Sequence, residues 1–182
     1  MRVAISSAHG KHVAGAIGLI NEVAESRRVV PRVASLLGSV GAEVMTFDDD
    51  SSRSQGANLR AVVNWHNRQT RDIDVSVHFN AHMKTDKPRG VEVLFASKST
   101  QSMAREVSQA IARAGNLFDR GAKQRSNLSF LNRTRKPAIL IEVCFVDSRA
   151  DVNAYETNFD AICRAIAEAI SGREITDAPA EV

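Results

Sequence analysis

Aromatic side chains are scarce in this 182-residue chain: they make up 5% of it, with one tryptophan, Trp65, and one tyrosine, Tyr155. A protein that stacks the bases of single-stranded nucleic acid needs aromatics interleaved with basic residues. Here Lys and Arg are scattered, apart from the local run Arg133-Thr134-Arg135-Lys136. An excess of one charge is lacking too. The 24 basic and 21 acidic residues leave a net charge of +3, a mixed surface that excludes nucleic acid as the expected partner. The two cysteines, Cys144 and Cys163, lack the close spacing of a metal knuckle and read as reduced core thiols, with a disulfide between them left open. No apolar run reaches the length of a membrane span. The chain opens on the strand-like Arg2-Val3-Ala4-Ile5 in place of a charged n-region and an apolar h-region, so it is expected to be made in the cytoplasm without a signal peptide.

Aliphatic residues are plentiful instead, and they fall into alternating strand and helix patterns, which indicates an α/β protein. No repeat or linker divides the chain, so one domain over residues 1–172 is expected, followed by a loose tail over 173–182. Strands are predicted over 2–7, 43–47, 74–81, 90–96 and 137–147, and helices from Glu22 to Gly41 and over 54–70, 99–114 and 157–170. Pro31 is expected to kink the first helix or to delay its start, because it removes a backbone donor. Asp48-Asp49-Asp50-Ser51-Ser52 lacks the Gly and distal Glu of a calcium loop and reads as a solvated turn. The longest stretch without a period, 116–136, reads as an irregular loop, of the kind that often carries function.

One strand organises the rest. Ala138-Ile139-Leu140-Ile141 and Val143-Cys144-Phe145 flank Glu142, in a run apolar enough to be buried on both faces. A carboxylate placed there needs a partner, since desolvating an unpaired charge is very costly. A cationic side chain is the plain partner and a metal centre the chemical one. His9 follows the first strand, Glu22 opens the first helix, and His78 belongs to the polar row Ser76, His78, Asn80, which steps by two along the third strand. Two imidazoles and a carboxylate suit a catalytic zinc ion, which keeps a further position for water or substrate. Glu142 would then serve as general acid and base. Spacing alone leaves this set open. His12 and His82 are rival ligands, His66 reads as a core-edge histidine on the second helix, and Glu25 lies one turn beyond Glu22.

Four motifs narrow the choice. Ser7-Ala8-His9-Gly10, Gly18-Leu19-Ile20-Asn21-Glu22, Ser76-Val77-His78-Phe79-Asn80-Ala81 and Pro137 to Phe145 occur in the order and at about the separations of the zinc-dependent N-acetylmuramoyl-L-alanine amidases of the amidase-3 type. The chain resembles that family, found among cell-wall hydrolases and phage endolysins, from Val3 to about Ile170. The resemblance implies a twisted, mixed, mostly parallel sheet of about five to six strands with helices on both faces. It implies zinc held by His9, Glu22 and His78, with Glu142 as the catalytic carboxylate, and the helix register favours Glu22 over Glu25. The substrate implied is peptidoglycan, cut between the lactyl group of N-acetylmuramic acid and the L-alanine of the stem peptide. Asn80 is a candidate for the substrate carbonyl, and Lys123 and Arg125 for the anionic stem peptide. The chain departs from the family pattern at Lys11-His12-Val13 and at Cys144-Phe145-Val146-Asp147-Ser148, positions at the expected rim of the cleft. A monomer that acts on the cell wall after release through the membrane is expected. Two other classes remain beside it: a thiol hydrolase using Cys144 with His78, and an inactive peptidoglycan-binding module.

Overall fold

The computed structural model describes residues 1–176. Six strands, β1 (Arg2–Gly10), β2 (Glu43–Asp49), β3 (Ile73–Asn80), β4 (Val91–Phe95), β5 (Asp119–Gln124) and β6 (Ala138–Phe145), are interspersed with the helices α1 (Glu22–Ser39), α2 (Gln55–Arg68), α3 (Gln101–Gly115), α4 (Ser129–Arg133), α5 (Arg149–Thr157) and α6 (Phe159–Ser171). The strands form one sheet in the order β2-β1-β3-β6-β4-β5. Every pair runs parallel except β4 with β6, so the sheet is mixed and mostly parallel, as expected.

Alternation along the strands divides the apolar side chains between two faces. On one face Ile5, Val75, Val77, Ile139 and Ile141 meet Val29, Val33 and Leu37 of α1, Ile111 of α3 and Ile162 and Ile166 of α6. On the other, Leu94, Ala138 and Leu140 meet Val62 of α2 and Phe130 and Leu131 of α4, with the partly buried Phe47, Ala96 and Leu128 packed against them. The second layer is thin. The polar row of β3 faces it, and a cleft opens there at the carboxyl ends of β1, β3 and β6, the usual place for a site in an open α/β sheet.

Helix α1 runs through Pro31 without ending. A proline inside a helix costs about 3 kcal/mol, while burying Val29, Val33 and Leu37 at about 1.5–3 kcal/mol each outweighs it. The acidic turn also differs from expectation. Asp49 is buried and accepts from the backbone N–H groups of Ser51 and Ser52 and from Asn58 Nδ2. It ties the end of β2 to α2, whose N-cap is Ser54. Residues 116–136 are not one loop, since they contain β5 and α4. Of the expected tail, Ile175 is buried in the larger core and its N–H donates to Glu168 Oε1 at 2.9 Å; residues 177–182 lie outside the described residues. Both cysteines are free and buried.

Candidate active site

His9 ends its strand in an unusual conformation. Its φ is +57°, in the left-handed region, and the pairing of β1 with β2 shifts between Ser6 and Gly10. A non-glycine residue held there costs about 1–3 kcal/mol, and such irregularities re-aim a side chain at a sheet end. Here the re-aimed imidazole meets Glu22, the first residue of α1, whose start is fixed by the Asn21 side chain accepting from Ala24 N at 3.1 Å. His9 Nε2 lies 2.9 Å from Glu22 Oε2, and His78 Nδ1 lies 2.9 Å from Glu22 Oε1. The backbone N–H groups of Ala16 and Phe79 donate to the same carboxylate at 2.7 and 3.2 Å. One nitrogen or oxygen atom from each of His9, Glu22 and His78 comes within 4.8 Å of the others. Gly15 closes over this cluster. A Cβ there would come 2.5 Å from both Glu22 Oε2 and His9 Cδ2, so only glycine lets the loop pass so near.

The electrostatics separate the two glutamates. Burial pushes the Glu22 carboxyl up, but the hydrogen bonds and charges of His78 and His9 outweigh it and hold the group far below the usual carboxylate range. Glu142, opposite His78 in the register of β3 and β6, behaves in the reverse way. Burial, with the nearby charges of Glu22 and Glu92, pushes it well above the usual range. Its Oε2 is buried and has no hydrogen-bond partner among the described residues. An unpaired acidic oxygen beside a cluster of imidazoles is an arrangement that costs stability and supports proton transfer.

These residues share a cleft of about 420 Å³, lined by His9, Glu22, His78, Asn80, Glu92 and Glu142 among others. Of the substrate candidates, Asn80 and Arg125 line it and Lys123 does not. Lys123 is an exposed residue of the edge strand β5. Asn80 spends its Nδ2 on Glu92 Oε1 at 3.1 Å, and its Oδ1 accepts from the N–H of Ala81. The rivals fall elsewhere. Glu25 accepts from Arg28 and from the Tyr155 hydroxyl, His66 is fully buried under the sheet, and neither His12 nor His82 lines the cleft. Cys144 is enclosed in the larger core, where burial and the charges of Asp151 and Glu25 push its thiol well above the usual value, the reverse of an activated nucleophile. Sequence reasoning missed Glu92, which faces Glu142 across the β4–β6 ladder and is neutralised by Arg120 Nε at 2.7 Å. The signal was present in Val91-Glu92-Val93, an acid in an apolar strand like Glu142.

A six-stranded α/β sheet thus carries, in one cleft, a His-Glu-His cluster that could hold a metal ion and the half-buried Glu142. Comparison with known proteins gives the family. Residues 3–172 match the N-acetylmuramoyl-L-alanine amidase family of the amidase-3 type, and the chain belongs to it. A protein of Clostridium perfringens described as an uncharacterized 38.4 kDa protein is 32% identical over 174 residues, 93% of this chain and 51% of that protein. A second from that species is 28% identical over 181 residues, 97% of this chain and 53% of its own length. The chain therefore spans about half the length of these relatives. Among solved structures, the catalytic domain of the CD27L endolysin targeting Clostridium difficile superposes with a TM-score of 0.88 at 22% identity, covering 97% of this chain and 99% of that one. The amidase AmiC2 of Nostoc punctiforme gives 0.81 at 24%, covering 94% and 96%. At these identities the likeness establishes the fold.

Proposed function

We propose that the chain is the catalytic unit of a zinc-dependent peptidoglycan amidase that cleaves the bond between the lactyl group of N-acetylmuramic acid and the L-alanine of the stem peptide. The observation that carries this is Glu142 Oε2, buried and unpartnered, in the same cleft as His9, Glu22 and His78. The donor set fits zinc: two imidazole nitrogens and a carboxylate converge, and Gly15 leaves room for the loop above them. When bound, zinc supplies Lewis acidity, which polarises an amide carbonyl and eases ionisation of water near neutral pH.

The protein's own residues do the rest. His9 and His78 each meet a different oxygen of the Glu22 carboxylate and would hold the metal together with it. Glu142 Oε2 takes the proton of the attacking water and returns it to the leaving amine of L-alanine, a role that its raised proton affinity suits. Glu92, held by Asn80 and Arg120, faces Glu142 across the β4–β6 ladder. Arg125, exposed at the cleft edge, meets the anionic stem peptide, and the cell wall is the place of action. Nothing in the geometry favours a Cys144 nucleophile.

The test is Glu142→Gln, assayed on purified sacculi by release of L-alanine-terminated peptides. The variant is expected to fold, to bind zinc at about one ion per chain, and to lose activity by about 10²- to 10⁴-fold. Chelation should abolish wild-type turnover and zinc should restore it. Unchanged peptide release after complete removal of metal would refute the zinc mechanism, and wild-type sacculus binding without turnover would identify a binding module.

A further inference from the structure

The cleft changes character along its length. Glu142 and Glu92 are register partners across β6 and β4, and Leu140 and Leu94 are partners two residues further along the same ladder. Side chains two apart on a strand share a face, so a row of leucines follows the row of glutamates about 6.6–6.8 Å down the sheet. Both rows line the cleft, and Phe130 of α4 and Leu59 of α2 add to its apolar wall. Past the leucines, β5 reaches its carboxyl end. Gln124 is the register partner of Phe95, and Arg125 donates its backbone N–H to Phe95 O at 2.8 Å. Because β4 and β5 run antiparallel to β6, this end lies away from Glu142, toward the start of β6.

Arg125 is the one Lys or Arg side chain that lines the cleft. Its backbone is pinned to β4, while its exposed guanidinium has no hydrogen bond or ion pair among the described residues. The neighbouring Arg120 is occupied by Glu92. A guanidinium held at the end of a cleft and left without a partner suits a carboxylate, whose two oxygens match its fork. The sequence of proton-transfer group, apolar stretch and cation fits one half of the proposed substrate. Beyond the cleaved nitrogen come the methyl group of L-alanine and then D-glutamate, which continues the chain through its γ-carboxyl and leaves its α-carboxyl free or, in some walls, amidated. Two residues of extended peptide span at most about 7 Å. That length carries the α-carboxyl past the leucine row and toward the long Arg125 side chain. The sugar half offers hydroxyl and acetamido groups and no carboxylate, since its lactyl acid is taken up in the amide.

We propose that Arg125 is a specificity-determining residue that reads the α-carboxylate of the second stem residue. The leaving peptide then runs down the sheet face over Leu94 and Leu140, and the sugar lies at the histidine end of the cleft. The inference rests on the amidase reading and adds to it a direction and a preference: D-glutamate at the second position over its α-amide.

A matched pair of soluble muramoyl tetrapeptides, with D-glutamate or its α-amide at the second position, tests this on the zinc-loaded full chain. The wild type is expected to cleave the acid form with a kcat/KM about tenfold higher, the discrimination of one charge-assisted contact. Arg125→Gln should remove the preference, its loss on the acid form exceeding its loss on the amide form by about tenfold, and Arg125→Lys should keep part of it. Equal cleavage of the pair by the wild type overturns the assignment, as does an Arg125→Gln protein that keeps the wild-type ratio. If the wild type cleaves neither form, the amidase reading is judged on sacculi and Arg125 by binding. In ¹H–¹⁵N spectra its Nε–H signal should shift on titration with L-alanyl-D-glutamate and not with the α-amide of that dipeptide. No shift, or the same shift with both, overturns the assignment whatever the fate of the amidase reading.

Discussion

Glu22 and Glu25 stand three residues apart on one helix, and their surroundings give them different chemistry. Glu22 receives two imidazoles and two backbone N–H groups. Glu25 receives Arg28 at 2.6 Å and the hydroxyl of the fully buried Tyr155 at 2.8 Å. Glu22→Gln is therefore expected to reduce zinc affinity severely while leaving folding intact. Glu25→Ala should leave zinc affinity at the wild-type level but strand the Tyr155 hydroxyl, lowering stability by about 1–3 kcal/mol. Chelator competition and urea unfolding on both variants check the pair, and a zinc defect in Glu25→Ala would contradict this division. Gly15 gives a second prediction at this scale. A methyl group there collides with the His9–Glu22 pair, so Gly15→Ala should weaken zinc binding by about tenfold, the loss expected when support of a metal ligand is disturbed. Wild-type zinc affinity in that variant would show that the loop moves aside freely.

At the scale of elements, the residues that could be read from the sequence were those with a strong pattern. Strand β6 is a dense apolar run, β3 alternates strictly, and α1 repeats at helical spacing behind Asn21, so Glu142, His78 and Glu22 could be placed before any coordinates. Strand β5 could not. Asp119-Arg120-Gly121-Ala122-Lys123-Gln124 has little β propensity and forms an edge paired only with β4, where tertiary contact overrides local preference. Arg120, the partner of Glu92, was lost from view with it. Helix α5 also escaped detection because its task is polar. Its buried Asp151 accepts the backbone N–H groups of Arg89, Gly90 and Phe145, joining the segment before β4 to the end of β6. Asp151→Ala is expected to leave those donors unsatisfied, costing about 3–6 kcal/mol if each of the three lost bonds costs about 1–2 kcal/mol. Chemical denaturation measures the loss. Hydrogen exchange should locate it at Gly90 and Phe145, and protection there equal to that of the wild type would refute the assignment.

For the molecule as a whole, the buried His66, 2.7 Å from Asp74, which Arg71 also holds, makes stability depend on pH in a stated direction. His66 has its pKa lowered by burial, which Asp74 opposes without reversing. Its unfolded value is about 6.5. As pH falls through that value the unfolded chain takes up a proton that the native protein refuses, so stability declines. For Asp74 burial disfavours the charge, but the hydrogen bonds of His66 and Arg71 outweigh it and lower the pKa. Its stabilisation is complete above about 4, the unfolded value, and is lost as pH falls further toward the native pKa. Both groups thus release stability on the acid side, His66 first. Glu142, raised by burial, titrates in the opposite sense and gains a native-state proton as pH falls. The test is therefore made on metal-free Glu142→Gln protein, with chelator present to remove the separate pH dependence of zinc binding. It should unfold at steadily lower urea concentration from about pH 7 to pH 5, with a steeper fall below about pH 4. Adding His66→Gln to that background should lower its stability at pH 8 and flatten its curve between pH 7 and pH 5, because the group that titrates there has been removed. A urea midpoint of the Glu142→Gln protein that stays constant from pH 7.5 to pH 5 would mean that protonated His66 is accommodated.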